Sequence, residues 1–554
     1  TGSGGAGGSS SGGAGGASTG GAGGAGGVST GGAGGSGGVA TGGAGGSGGV
    51  ATGGAGGGDA GTPDAGDAGG PDAGDAGGPD ASSPDAGDAG PCTPNPVAVA
   101  CGGKACSDTA VDNCGRTVSC GPCTDWAVVL PGKYGVASAR AYGVAVDAAG
   151  NSVFTGECSG AIDFGSGTVT CPSNAFFVAK YDAVGNPLWS RVFGGGASDC
   201  IGRSAAFDAS GNLFVVGHFG GDFEAGGACA KLTSADAVGD AVVVKLNSAG
   251  SCLWAKRVGG AGFDAATGVA TDSSGGVVVT GFAYGQYDVG CGAQTSQSKD
   301  WFVVRLTSAG VCAWHDSIVS PMEDSGAAIA VTKTDDVLVS GWTGGAVGLG
   351  GACAATASAG GVVARLAPLD GACKAVKAVP AAGFHSLATT PAGDVFVSGV
   401  YTGDLAFGGP TPPLPTATKL RGFAAKLSPA FEAVWAREFG GGPSDATGFV
   451  LAADAKGNTV LAATTRGTLD FGGGPLDNPA PGNDGLYVAK LDATGAHVWS
   501  RGFWNGAALF LAARSVAIGS SGKSFVAGQG SGVVNFGTGP KTLEQGAFLL
   551  ELAP

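Results

Sequence analysis

The chain has 554 residues, 116 of them Gly, with 13% charged and 7% aromatic side chains and a formal net charge of -15. An acidic chain without a Lys/Arg cluster repels nucleic-acid phosphates and anionic membrane faces, and no apolar run approaches the ~18 residues of a spanning helix. These features exclude a nucleic-acid binder and a helical membrane protein, and short Gly-punctuated apolar runs exclude a helical bundle.

Residues 1–91 contain 41 Gly, eight Asp and no aromatic, Lys or Arg residue. They lack the large apolar side chains that would offset chain entropy, so they build no core. Residues 1–58 are a Gly/Ala/Ser/Thr tract in which T-G-G-A-G-G-x-G-G-V-x recurs from Thr19. That composition reads as a flexible spacer. The alternative is inter-chain packing of extended threefold helices, which Gly permits because it has no Cβ. Residues 59–91 repeat P-D-A-G-D-A-G-G, a stiffer spacer held extended by Pro and by repulsion between Asp side chains. These carboxylates could associate weakly with Ca²⁺, but EF-hand and nonapeptide patterns are absent. No other cofactor is expected.

Residues 92–125 form a Cys-rich module with Cys92, Cys101, Cys106, Cys114, Cys120 and Cys123. A segment this short needs staples, so these six are expected to pair among themselves, in a connectivity that spacing does not decide. Cys120-Gly-Pro-Cys123 has the letters of a redox motif, but no βαβ pattern surrounds it. Fifteen cysteines in all point to an oxidising compartment. The expected location is extracellular or on the cell surface, after removal of a leader.

From Trp126 a repeat organises the chain. Its first two strands read GVAVDAAGNSVFTG at 143–156 and SAAFDASGNLFVVG at 204–217. They return at 268–281, 328–341, 386–399, 450–463 and 515–528, at intervals near 60 residues. A third strand follows, such as FFVAKYD at 176–182, then a Gly turn and a fourth strand carrying Trp, such as PLWSRVF at 187–193. Four strands per unit, repeated seven times, predict an all-β seven-bladed β-propeller over 126–554. The last unit stops after its third strand, whereas Trp126-Ala-Val-Val-Leu precedes the first unit alone. The N-terminal strand is therefore expected to complete the seventh blade, removing two open sheet edges.

These units resemble the SBBP repeat of bacterial surface proteins, through the D-x-x-G-N turns (Asp147 to Asn151, Asp208 to Asn212, Asp454 to Asn458) and the Gly turn before each Trp strand. The Gly-rich tract and Cys module resemble secreted myxobacterial proteins. The resemblance implies a cell-surface location and no established reaction. Unit four departs from it, with Thr332 in place of Asp.

The cysteines of this region occupy equivalent positions in successive units. They suggest pairs Cys229–Cys252, Cys291–Cys312 and Cys353–Cys373, with Cys158 taking Cys171 and Cys200 left as a buried free thiol. The D-x-x-G-N turns read as self-capped hairpins rather than Ca²⁺ loops. The in-register Trp residues read as packing between blades. Trp342 and Trp504 lie outside that register, and His218 follows a second-strand Gly near the mouth, so these three are the candidate binding surface. No catalytic constellation, metal set or nucleotide motif stands out. The sequence thus points to a non-catalytic displayed propeller that binds a surface polymer, a protein or a matrix component. The alternatives are a self-associating fibre or sheath subunit and, less favoured, a secreted hydrolase or lyase.

Overall fold

A computed structural model describes residues 124–554, apart from breaks at 134, 196–198, 350–352, 354–355, 357, 441–446, 481 and 505–509. It also describes a two-stranded ladder of Thr109–Val111 with Thr117–Ser119. The Gly-rich tract, the Pro/Asp spacer and the six cysteines from Cys92 to Cys123 lie outside the described residues.

All regular structure among the described residues is β. Ser138–Val146, Ser152–Asp163, Thr168–Tyr181 and Pro187–Phe193 pair in that order as an antiparallel sheet. The same up-and-down order recurs from Cys200, Ala265, Asp324, Ala382 and Thr447. In the last sheet Leu511–Ile518, Ser524–Asn535 and Pro540–Leu552 pair in order, and Thr124–Leu130 lies along the outer side of the third strand. There Ala127 faces Leu550 and Val129 faces Phe548. The first strands contact one another in chain order, and Leu511–Ile518 contacts Ser138–Val146 in turn. Val144 N donates to Ser515 Oγ across that last contact at 3.2 Å.

Second and third strands are Val-, Ala- and Phe-rich because both their faces are covered by neighbouring sheets. Leu213–Phe219 and Asp240–Leu246 are buried along their whole length. The core is a series of clusters between adjacent sheets, each with residues from both.

Three recurring devices hold each sheet and join it to the next. The first is the turn after the first strand. Asp147 Oδ1 accepts from Ala149 N and Asn151 N, and Oδ2 accepts from Asn151 Nδ2. Asp208 and Asp454 repeat this. A third-strand cation then meets the turn carboxylate: Lys180 with Asp147 at 3.0 Å, Lys245 with Asp208 at 3.3 Å and Arg305 with Asp272 at 2.7 Å. Burial opposes ionisation of Asp208, but hydrogen bonds from Asn212 and Lys245 outweigh it and hold the carboxyl below its usual range. Where Thr332 and Thr390 replace the turn Asp, the carboxylate moves to the end of the turn. Asp336 meets the third-strand Arg365 at 3.7 Å and the fourth-strand Lys374 at 2.5 Å, and Asp394 meets the third-strand Lys426 at 2.8 Å. In the last sheet the polarity is reversed, with Lys523 on the turn and Glu551 on the third strand at 2.5 Å.

The second device joins neighbours through Trp. Trp189 Nε1 donates to Ser248 O in the next sheet at 3.0 Å, and Trp254 and Trp314 repeat the bond to Ser308 O and Pro368 O. The indole lies on the turn glycine of that sheet. Gly250 has φ +76°, and a Cβ there would meet the Trp189 ring at 2.8 Å, so Gly is required both for conformation and for space. Trp126 sits on Gly185 in the same way.

The third device corrects an expected boundary. The second strand was expected to end at its Gly, but in the first sheet it runs to Asp163 past a bulge between Cys158 and Gly160. Gly160, at φ +77°, bends the ribbon without ending its pairing. The extension carries a recurring tag, Asp163-Phe-Gly, Asp222-Phe, Asp470-Phe-Gly and Asn535-Phe-Gly, whose Phe fills the outer gap against the previous sheet. Phe223 reaches Phe193 at 5.7 Å between ring centroids, Phe471 reaches Phe439 at 5.2 Å and Phe536 reaches Phe503 at 5.7 Å.

Four disulfides, Cys158–Cys171, Cys229–Cys252, Cys291–Cys312 and Cys353–Cys373, tie these extensions down, with Cα separations of 5.7, 5.8, 5.4 and 5.8 Å. Cys200 is free and buried, and burial raises its thiol pKa.

Candidate functional site at the channel mouth

Every first strand shifts register by one residue at the same place, between Ala141/Gly143, Gly202/Ser204, Ala266/Gly268, Gly326/Ala328, Phe384/Ser386, Thr447/Phe449 and Ala513/Ser515. A bulge leaves one residue unpaired and re-aims its side chain. Those residues are Tyr142, Arg203, Thr267, Ala327, His385, Gly448 and Arg514. All but Gly448 line one cavity of ≈ 200 Å³ among the first strands. Here the repeat stops repeating: two arginines and a tyrosine come from adjacent sheets, and Ala and Gly stand elsewhere.

The tyrosine and arginine arc is organised by the side chains that follow Gly156 and Gly217 in the second strands. Glu157 Oε1 accepts from Arg140 Nη1 at 2.8 Å and from Tyr142 Oη at 3.1 Å. Arg203 Nε donates to His218 Nδ1 at 3.2 Å. Burial, with Arg203 beside it, lowers the His218 pKa to about 3, so the imidazole stays neutral and serves as an acceptor. Arg514 is exposed and lies over the Tyr142 ring at 6.0 Å. An aromatic cluster adjoins this arc. Phe263 packs edge-on against His218 at 4.9 Å and reaches Phe282 at 5.7 Å, and Lys299 Nζ lies 4.2 Å over Phe282.

Of the three sequence-derived surface candidates, His218 and Trp342 occupy equivalent positions after their second-strand Gly. His218 does not open to solvent: it is 3% exposed, because Phe263 and Arg203 cover it. Its place is behind Arg203, not on the surface. Trp342 is 43% exposed and edges a shallow cleft of ≈ 290 Å³ with Val400, Tyr401 and Leu420. Trp504 is half-buried against Tyr487 at 6.0 Å and belongs to packing. The reading of residues alone missed Tyr142, Arg203 and Arg514. The visible signal was a polar residue two places before the apolar stretch of a first strand.

A second group of buried acids lies between sheets. Asp264 accepts from Gly260 N at 2.7 Å and Tyr284 N at 2.8 Å, and burial raises its pKa to about 7, with Asp240 adding to the rise. Asp324 repeats the arrangement, taking Ser320 N at 2.5 Å and Gly344 N at 3.0 Å. These acids cap the loops that link one sheet to the next. Among the described residues no cluster of three His, Cys, Asp or Glu is placed to hold a metal ion, and no helix is long and apolar enough to cross a membrane.

No protein-family model and no curated protein matches the chain. Among solved structures, it is similar to the C-terminal WD40 domain of Sif2, at 8% identity and TM-score 0.35, over 77% of this chain and 99% of that one. It is also similar to BamB from Moraxella catarrhalis, at 11% identity and TM-score 0.31, over 68% and 89%.

Proposed function

We propose that residues 124–554 are a seven-bladed β-propeller, closed by the Thr124–Leu130 strand, that serves outside the cell as a non-catalytic scaffold binding a protein partner. The pairing of that strand with Pro540–Leu552 and the contact of the last first-strand with the first support closure. Four disulfides support an oxidising location. The observation that carries the binding role is the divergence of the bulge residues. Positions that hold the sheets together repeat, whereas positions aimed into the channel differ from sheet to sheet. Arg and aromatic side chains beside a concave mouth are the chemistry of protein-binding hot spots.

The test uses the full chain, immobilised, and the surface proteins of its source cells. A retained protein should be lost with Arg514→Ala, an exposed change at a bulge residue of the cavity, and kept with Leu369→Ala, an exposed change on a turn between third and fourth strands. Equal loss with both, or retention of nothing, would overturn the binding reading. A particle image with six or eight blades would overturn the architecture.

A further inference from the structure

We propose that the channel mouth binds a carboxylate group, clasped between Arg203 and Arg514 over Tyr142. The proposal rests on the binding role above and names the chemistry of what enters.

Three observations converge on it. First, neither arginine makes an ion pair among the described residues. Glu157 is the nearby acid, and it is already taken by Arg140 and Tyr142. Second, Arg203 is held for the task. Its Nε is fixed to the neutral His218, which leaves the Nη1 and Nη2 edge of the guanidinium for another acceptor. Both arginines border the same small cavity, and the sheets that carry them flank the one that carries Tyr142. Third, the local charge runs against the chain as a whole. Arg140, Arg203, Arg514 and Lys299 gather at one mouth of a protein with net charge -15, against Glu157 and Glu323.

A guanidinium fork matches a planar carboxylate through two parallel N–H···O bonds, which an ammonium host does not offer; a tetrahedral anion can take the same fork, so sulfate is the competitor that the experiment must include. A half-buried site strengthens the attraction by excluding water. A cavity of ≈ 200 Å³ admits one small acidic group, not a folded partner. The carboxylate is therefore borne by a small organic acid or by a side chain or terminus projecting from a polypeptide.

The experiment titrates the full chain by calorimetry with succinate, with an amidated tetraglutamate peptide and with sulfate. Saturable binding of succinate or of the peptide is expected, and whichever binds tighter identifies the carrier. Arg203→Gln and Arg514→Gln should each weaken it by about tenfold or more, and Lys231→Gln, an exposed partner of Asp222 outside that cavity, should not. Arg514 is exposed, so R514Q keeps the assay valid even where R203Q unfolds. His218→Phe removes the acceptor behind Arg203, and should weaken binding while leaving Arg514 in place. Absence of saturation, equal affinity in R514Q, or sulfate binding as tightly as succinate would each overturn the assignment. Carboxylate binding without any protein partner would leave this site standing and remove the scaffold reading, so the two fail separately.

Discussion

The turn side of the molecule and the channel mouth follow opposite rules. On the turn side the same job is done in sheet after sheet, and identity changes only where a partner changes with it. Thr332 replaces Asp and Asp336 supplies the charge; Glu551 replaces Lys and Lys523 answers it. At the mouth, equivalent positions hold Tyr, Arg, Thr, Ala, His and Gly, and the side chains that meet them, Glu157 for Tyr142 and His218 for Arg203, do not recur from sheet to sheet. Compensation marks a position that the fold needs. Free variation at a geometrically fixed position marks one that the fold merely presents.

The largest expected effects lie in the packing between sheets. Phe223→Ala empties a fully buried site against Phe176, Phe193 and Phe219, and should cost about 3–5 kcal/mol in denaturant unfolding. The charge swap is the sharpest test of compensation. Glu551→Gln should cost about 2 kcal/mol by removing the charge that Lys523 meets. Lys523→Asp with Glu551→Lys should recover most of it, because that is the arrangement of Asp394 with Lys426. A double variant no better than the single one would break the comparison.

Gly250→Ala should cost about 1–3 kcal/mol, since it meets both a positive φ and the Trp189 ring. Acidity probes the joints between sheets. Asp264 holds its proton to about pH 7 in the folded chain and to about pH 4 unfolded. Folding is therefore favoured at low pH by this group, and its contribution falls as pH rises from about 4 through 7. Asp264→Asn should flatten that slope in a pH series of melting temperatures. The smallest effect is expected at the mouth, where Arg514→Gln should move stability by less than about 0.5 kcal/mol.

Strands, Trp register and cysteine spacing were legible in the letters because they obey a period of about 60 residues. The site was harder to read because a bulge is an extra residue, and it slips the alternation by one without altering hydropathy. Arg203 in Gly-Arg-Ser therefore carries no mark in the letters that sets it apart from its neighbours. The Asp-Phe-Gly tags were visible as recurring text, but a strand reading that stops at Gly156 assigns them to loops. His218 shows the remaining limit. Its position near the mouth followed from register, but its burial depends on Phe263, which comes from the loop before Ala265–Thr271 and has no place in the register.

One consequence follows from the strand Thr124–Leu130 lying beside Pro540–Leu552. Thr124 is opposite Leu552, so the two ends of this domain sit where other sheets have only a tight turn. A linker as short as Asp182–Asn186 could splice them, and the chain could be cut anew at the Asn247–Ser251 turn. Such a circular permutant should fold to the same sheets. Force applied across the original ends would peel this ladder one rung at a time, making it the mechanical fuse of the molecule.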